Sequence, residues 1–298
     1  MKTKNWRYWL NIFLAVIGIF LLGLMVVVVA LSYRQAQAYM HPVRVHASGN
    51  FLKESHIPYQ NIELAAEDGV KLSAWYTPSR NGAVILVAHG HGGCRQEDIY
   101  ALYANHGYGV IAWDFRAHGK SGGDFTSLGY YEVMDAKAAL DYVLSQPDVK
   151  HIGAWGGSMG GVTMIRATAK YPQIEALVSD SAFSTLHDEL DLRVPYPVIN
   201  PLIGFFAEQQ TGLNLDLVRP VDDISRISPR PVLIIQSTND TMVPLDSALR
   251  FFENAGEPKE LWIKDKALHL GMYNLYPEEY TEKVITFFDE YLLKLSSK

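Results

Sequence analysis

A serine at position 158 lies between glycines in the segment 155–161, whose sequence is WGGSMGG. This segment has the G-x-S-x-G pattern and includes the end of the apolar run 151–155. In that pattern the serine occupies a tight turn between a strand and a helix, and the glycines keep Cβ atoms away from the adjoining backbone. The helix predicted at 162–171 would direct the positive end of its dipole at the serine. The segment therefore predicts a nucleophile at Ser158. A glycine-rich turn with a helix-capping serine is the alternative.

A nucleophilic serine needs a base that accepts its proton and a carboxylate that orients this base. Asp240 lies in a polar turn after the apolar run 231–236. His269 lies in a loop between a short strand at 261–264 and a C-terminal helix. We therefore expect His269 to be the base and Asp240 its partner. Asp180, which follows the strand-like run 175–179, is the alternative acid.

Acyl transfer passes through an oxyanion that backbone N–H groups stabilise. One donor comes from the residue after the nucleophile and the other from the loop after an earlier strand. The run 83–88 predicts that strand, and HGHGG at 89–93 is its loop. The N–H groups of His91 and Met159 are therefore expected to form the oxyanion hole. His89 and His91 could instead bind a metal, but no further ligand stands at a useful spacing, so neither metal nor cofactor is expected.

Four segments together resemble the α/β-hydrolase superfamily, namely 88–93, 113–121, 156–161 and 231–244. The likeness runs from about residue 70 to the C-terminus and is nearest to the bacterial branch that is similar to dienelactone hydrolases and S9 and S33 peptidases. The order Ser158, Asp240, His269 is the order of that superfamily. The chain departs from it at Leu268 and Ala117, where the family often has glycine. The resemblance implies a serine hydrolase that works through an acyl-enzyme.

The elements that would position these residues follow one another along the chain. A hairpin at 61–77, turning at Asp68-Gly69, precedes strand-like runs at 83–88, 109–113, 151–155, 175–179, 231–236 and 260–264. Continuous apolar strands separated by helical patterns, such as 131–144 and 278–295, imply a mostly parallel sheet covered by helices on both faces. The fold class is therefore α/β, with an α/β-hydrolase fold over 61–298.

The interval 181–228 is too long for a plain connection between a strand and a helix, and it predicts a small cap insertion. Its middle, 194–206, is apolar and broken by prolines. Our hypothesis is that this segment roofs the acyl pocket and admits hydrophobic substrates near a membrane. Ordinary packing of a cap helix on the main domain is the alternative.

Residues 12–31 form an uninterrupted apolar run. About 20 residues rising 1.5 Å each span the roughly 30 Å hydrocarbon core of a bilayer. We therefore expect 1–31 to be a cytoplasmic tip and a transmembrane signal-anchor, and 32–60 to be a stalk or linker. A cleaved signal peptide with its site at Ala36-Gln37-Ala38 is the alternative. The apolar run is longer than a signal peptide requires, and Arg34 intervenes.

Lys2, Lys4 and Arg7 precede the apolar run, whereas only Arg34 and Arg44 follow it closely. This bias favours a cytoplasmic N-terminus, a single pass through the cell membrane and an extracytoplasmic catalytic domain. The net charge of −6 argues against a nucleic-acid partner.

The expected function is hydrolysis of a carboxylic ester or related acyl bond in a small molecule. A serine peptidase that acts on short or acylated peptides is the nearest alternative. A hydrolase-fold binding protein without turnover is a further alternative. The presence of Ser158, Asp240 and His269 together argues against it.

Overall fold

An eight-stranded sheet lies at the centre of the computed structural model, which describes residues 3–194, 196 and 199–294. Its spatial order is β1-β2-β4-β3-β5-β6-β7-β8. Strands β1, β2 and β4 pair antiparallel, and all later pairings are parallel. The strands are β1 (Gln60–Ala65), β2 (Lys71–Thr77), β3 (Ala83–Ala88), β4 (Gly109–Trp113), β5 (His151–Gly157), β6 (Ala176–Asp180), β7 (Val232–Ser237) and β8 (Lys259–Lys264).

Helices precede, follow and connect these strands. They are α1 (Thr3–Met40), α2 (Asn50–Glu54), α3 (Glu97–Asn105), α4 (Glu132–Leu144), α5 (Met159–Lys170), α6 (Leu186–Arg193), α7 (Ile199–Thr211), α8 (Pro220–Asp223), α9 (Leu245–Asn254), α10 (Met272–Leu275) and α11 (Pro277–Leu292). Short 3-10 turns span Leu215–Leu217 and Ile224–Arg226.

Both faces of the sheet are covered. Helices α4, α5 and α9 contribute to the hydrophobic core on one face, and α3 and α11 contribute to the core on the other. Every residue of β3, β4, β6 and β7 is buried. Such two-sided burial explains why these strands are continuously apolar in sequence instead of alternating. The predicted α/β-hydrolase fold is confirmed.

The boundaries differ from the sequence-based expectations by a few residues. Strand β5 continues to Gly157 because its last two glycines pair with β6. Helix α5 begins at Met159, earlier than residue 162, because the turn at Ser158 leads directly into it. Helix α11 ends at Leu292, and Leu295, with which the expected helix ended, lies outside the described residues.

The interval 181–228 contains α6, α7, both 3-10 turns and α8. Of the apolar segment 194–206, Pro195, Pro197 and Val198 lie outside the described residues. Helix α7 packs against α1, so the cap rests on the N-terminal helix as well as on the domain.

The segment 32–60 differs from the stalk that the sequence led us to expect. Helix α1 continues through this segment to Met40, and the remainder lies against the domain. Arg44 donates to the carbonyl oxygens of Ser121 and, over 2.8 Å, Gly123, while Leu52 is fully buried. The sequence did not predict these contacts of the expected stalk or linker, because guanidinium-to-carbonyl hydrogen bonds leave no periodic apolar pattern. Within the described residues α1 is also the one helix that is long and apolar enough to cross a membrane.

Candidate active site

Ser158 occupies a strained turn between β5 and α5. Its φ of 54° and ψ of −120° lie in a region that non-glycine residues seldom adopt. The turn is held because Ser158 N–H donates to the Asp180 carbonyl oxygen over 2.8 Å. The side chain lies at the N-terminus of α5, as the sequence predicted.

The glycines around Ser158 allow close backbone contacts. A Cβ at Gly160 would lie 2.1 Å from the Ala88 carbonyl oxygen, and one at Gly156 would lie 2.3 Å from the Gly160 carbonyl oxygen. No side chain fits at such distances, so the pattern G-x-S-x-G is required by packing. These contacts bring the start of α5 against the end of β3, where the loop 89–93 begins.

Asp240 and His269 meet at the carboxyl ends of β7 and β8. His269 Nδ1 donates to Asp240 Oδ2 over 2.8 Å. Asp240 Oδ1 accepts from the N–H groups of Met242 at 2.9 Å and Val243 at 3.0 Å. Burial alone would raise the pKa of Asp240, but the hydrogen bond and charge of His269 together with the two backbone donors hold it below its ordinary value. Asp240 is therefore an ionised carboxylate that orients the imidazole.

Gln236 is a supporting residue that the sequence analysis missed. Its Nε2 donates to Asp240 Oδ2 at 3.2 Å and to the Val243 carbonyl oxygen at 2.8 Å. It is fully buried near the end of β7. The sequence signal for this role was a polar residue near the end of an apolar strand, directly before the turn that carries Asp240.

Asp180, the alternative acid, has other partners. It accepts hydrogen bonds of 2.8 Å from the hydroxyls of Tyr280 and Ser181. Burial raises its pKa to about 6. The structure brings the imidazole of His269 to Asp240 and not to Asp180.

His91 and Met159 line the same small cavity as Ser158, with a volume of about 20 Å³. Within the described part of the chain, neither backbone N–H donates a hydrogen bond. A Cβ at Gly90 would lie 3.3 Å from Ser158 Cβ, so the loop 89–93 is in contact with the serine. Both N–H groups are therefore without a partner within the described residues.

The side chains of His89 and His118 hold the loops near this site. His89 Nδ1 donates to the Gly90 carbonyl oxygen at 2.7 Å, and His89 Nε2 accepts from Phe115 N–H at 3.0 Å. His118 Nε2 accepts from Gly92 N–H at 3.0 Å. Burial lowers the pKa of His89 to about 3, so the ring is neutral.

The loop that carries His269 touches the serine turn through Leu270. A Cβ at Gly157 would lie 3.0 Å from Leu270 Cδ2. Among the described residues there is no direct hydrogen bond between Ser158 Oγ and His269. In unliganded hydrolases the hydrogen bond between the nucleophile and its base is often long or poorly aligned, and it shortens when substrate binds.

Three polar side chains at the cavity were not foreseen from the sequence. Tyr39 comes from the end of α1, and Glu189 and Arg193 come from α6. Arg193 Nε donates to Glu189 Oε1, while Glu189 Oε2 has no partner within the described residues. Burial raises the pKa of Glu189. Glu189 and Arg193 are one helical turn apart, and this spacing was the sequence signal for an ion pair on α6.

Solved structures with this fold include hydrolases. An esterase from Pyrococcus furiosus is 26% identical, matches 85% of this chain and 98% of its own, and has a TM-score of 0.74. The Est1E protein from Butyrivibrio proteoclasticus, solved with ferulic acid, is 20% identical over 77% of this chain and 98% of its own, with a TM-score of 0.65. The second likeness shows the fold alone.

Two bacterial relatives are named as uncharacterized proteins. The uncharacterized protein YqkD of Bacillus subtilis is 29% identical over 197 residues, which are 63% of this chain and 64% of that protein. The uncharacterized protein YfhR of Escherichia coli K12 is 24% identical over 242 residues, 76% of this chain and 80% of that protein. The sequence profile of the prolyl oligopeptidase family, Peptidase_S9, matches residues 96–294. This match covers most of the folded domain, and the chain belongs to the prolyl oligopeptidase family of α/β-hydrolases.

Proposed function

We propose that this protein is a serine hydrolase that cleaves carboxylic esters through Ser158, His269 and Asp240. The hydrogen bond from His269 Nδ1 to Asp240 Oδ2 carries the proposal, because it fixes the tautomer in which Nε2 is a free base. The strained turn is a second observation that supports the proposal, because it holds Ser158 at the start of α5.

In the proposed reaction, His269 Nε2 takes the proton of Ser158 as Oγ attacks the ester carbonyl. The N–H groups of His91 and Met159 donate to the resulting oxyanion. His269 then protonates the departing alcohol, and an acyl-enzyme remains. Water attacks this intermediate with His269 again as the base, which releases the carboxylic acid and restores Ser158.

An ester is favoured over a peptide by the lining of the cavity at Ser158. Its apolar side chains are Leu128, Met159, Phe183 and Leu190. Transfer of an apolar acyl group from water into this cavity would be favourable. The esterase from Pyrococcus furiosus, at 26% identity, supports the same substrate class.

A peptidase that acts on short or acylated peptides is the second candidate, and Glu189 is the observation that favours it. This residue lines the cavity, and its buried Oε2 has no hydrogen-bond partner among the described residues. Such an oxygen would accept a hydrogen bond from a substrate ammonium group.

A substrate panel separates the two candidates. We expect purified full-length protein to hydrolyse p-nitrophenyl acetate and butyrate faster than aminoacyl p-nitroanilides. The Glu189→Gln variant should retain ester turnover to within about threefold. Faster turnover of the anilides, lost on Glu189→Gln, would contradict the esterase and support the peptidase.

We further propose that α1 anchors the protein in the cell membrane and that the catalytic domain lies outside the cytoplasm. Large apolar side chains of α1 are exposed in the isolated chain. Ala36, which the signal-peptide alternative would remove, is fully buried. Carbonate extraction should leave the full-length protein in the membrane, and protease added to spheroplasts should digest the domain. A shortened soluble product would refute the anchor, and a protected domain would refute the orientation.

A further inference from the structure

The last turns of α1 pack along α7 of the cap, with the two helices running in the same direction. The rings of Tyr33 and Phe206 meet edge to face at 5.4 Å, and Gln37 Nε2 donates to Gln210 Oε1 over 2.6 Å. Each helix advances four residues between these contacts, so the pairing is parallel. The buried residues Ser32, Ala36 and Met40 form the contacting stripe of α1.

This pairing places the start of α7 beside the apolar part of α1. Ile199 lies seven residues before Phe206, a distance of about 10 Å along the helix axis. The corresponding level on α1 is near Val26, inside the run 12–31. Phe205 is 52% exposed and Tyr196 is 61% exposed. By the same count Phe205 lies level with Ser32, directly after the apolar run, so the cap presents an apolar ring at the level where that run ends, as interfacial helices do.

An apolar cavity lies between α1 and the cap. It has a volume of about 20 Å³, and its walls include Ala36, Met40, Ile203, Ala207 and Leu213. Tyr39, Leu128 and Leu190 line both this cavity and the cavity at Ser158. The two cavities are therefore adjacent and share these walls. Joining them would require rotation of the shared Leu190 side chain, and rotation of the unbranched Met40 side chain would enlarge the outer cavity.

We propose that the two cavities are the closed form of a channel that leads an acyl chain from the bilayer, between α1 and α7, to Ser158. The substrate class is then a membrane lipid with a long-chain carboxylic ester. This inference rests on the proposed function and extends it. Ser158 Oγ would form the acyl bond as the lipid's ester C–O bond breaks, His269 would pass the proton to the leaving alcohol, and water would release the fatty acid.

Three features distinguish this channel from ordinary packing voids. The cavity between α1 and α7 is lined mostly by apolar side chains, the cavity beyond it includes the proposed nucleophile, and one wall belongs to α1, the proposed anchor. The α1 wall of the outer cavity begins at Ala36, five residues past the apolar run 12–31, so the proposed path starts where that run ends and leads between α1 and α7 to Ser158. Each methylene kept out of water in this way contributes to binding.

The test blocks the channel from both walls. Ala36→Phe fills it from α1, Ala207→Phe fills it from α7, and Ala38→Phe is the matched control because Ala38 is exposed. Full-length protein in mixed micelles is assayed with p-nitrophenyl acetate and p-nitrophenyl palmitate. We expect both blocking variants to lose about tenfold or more in kcat/KM for palmitate and to stay within about twofold for acetate. The control should match the wild type.

An unchanged palmitate-to-acetate ratio in both blocking variants would overturn the channel, as would equal losses on the two esters. Acetate turnover by the wild type reports the proposed function separately. If the wild type hydrolyses acetate while the ratio is unchanged, the channel alone is wrong. If the folded wild type hydrolyses neither ester, the proposed function is wrong and the channel falls with it.

Discussion

His91 Nε2 donates a hydrogen bond to the carbonyl oxygen of Tyr39 over 2.8 Å. A carbonyl oxygen only accepts, so the proton of the imidazole must lie on Nε2. Burial lowers the pKa of His91 to about 4, and the ring is therefore neutral at physiological pH. The bond joins the loop of the proposed oxyanion hole to the last turn of α1, so the N-terminal helix helps to position the active site.

Replacing His91 should impair the reaction through this link. We expect His91→Phe to lower kcat for p-nitrophenyl acetate about tenfold, less than the loss of an oxyanion donor, because the backbone N–H remains but is less well placed. His91→Gln retains a side-chain donor and should recover most of that loss. Equal activity of the phenylalanine variant and the wild type would show that the link to Tyr39 has no part in turnover.

The two buried aspartates should differ in their effect on catalysis. Asp240→Asn should lower kcat by about 10³–10⁴-fold, because an amide donor favours the wrong tautomer of His269. Asp180→Asn is the control, since Asp180 is bonded to Tyr280 and Ser181 instead. It should cost less than about tenfold. Steady-state kinetics on folded variants would reverse the assignment if the Asp180 variant proved the more damaged of the two.

Ionisation of Asp180 should also lower the stability of the folded protein as pH rises. Its pKa is about 6 in the folded protein and about 3.9 in an unfolded chain. Between these values the folded state binds more protons, so the contribution of Asp180 to stability falls with rising pH, by on the order of 2–3 kcal/mol in total.

Asp180→Asn removes this titration. The Tm difference between the variant and the wild type should therefore move in favour of the variant as pH rises from about 4 to about 6. A difference that stays constant over this range, measured in one detergent, would mean that Asp180 ionises normally.

The close contact at Gly160 should make it intolerant of any side chain. We expect Gly160→Ala to destabilise the domain by about 3 kcal/mol, or roughly 10 °C in Tm, because the new methyl would overlap the Ala88 carbonyl oxygen. Gly23→Ala is the control, since nothing lies within 4 Å of its Cβ position. Similar melting temperatures for both variants would contradict the packing at the turn.

The sequence was sufficient to predict those features of the candidate site that depend on short-range residue patterns. The turn at Ser158 needs glycines at fixed offsets, and Asp240 and His269 each follow a particular strand, so the sequence predicted that these two side chains would meet, with Asp180 as the alternative acid. The parallel sheet was equally predictable, because strands buried on both faces are continuously apolar.

Contacts between distant segments were not predictable in this way. The hydrogen bond of His91 to Tyr39 and the bond of Gln37 to Gln210 join residues 52 and 173 positions apart, respectively. Neither contact leaves a periodic pattern. The segment 32–60 lacks such a pattern as well, although Arg44 and the buried Leu52 hold it against the domain.

Covalent labelling of Ser158 tests the central claim most directly. Full-length wild type, Ser158→Ala and Asp240→Asn are treated with a small fluorescent alkyl fluorophosphonate, and the attached mass is located by peptide mapping. We predict one label, on Ser158, that is absent from the alanine variant and forms much more slowly in the asparagine variant. A folded wild type that takes up no label, or an alanine variant labelled as fast as the wild type, would contradict the account.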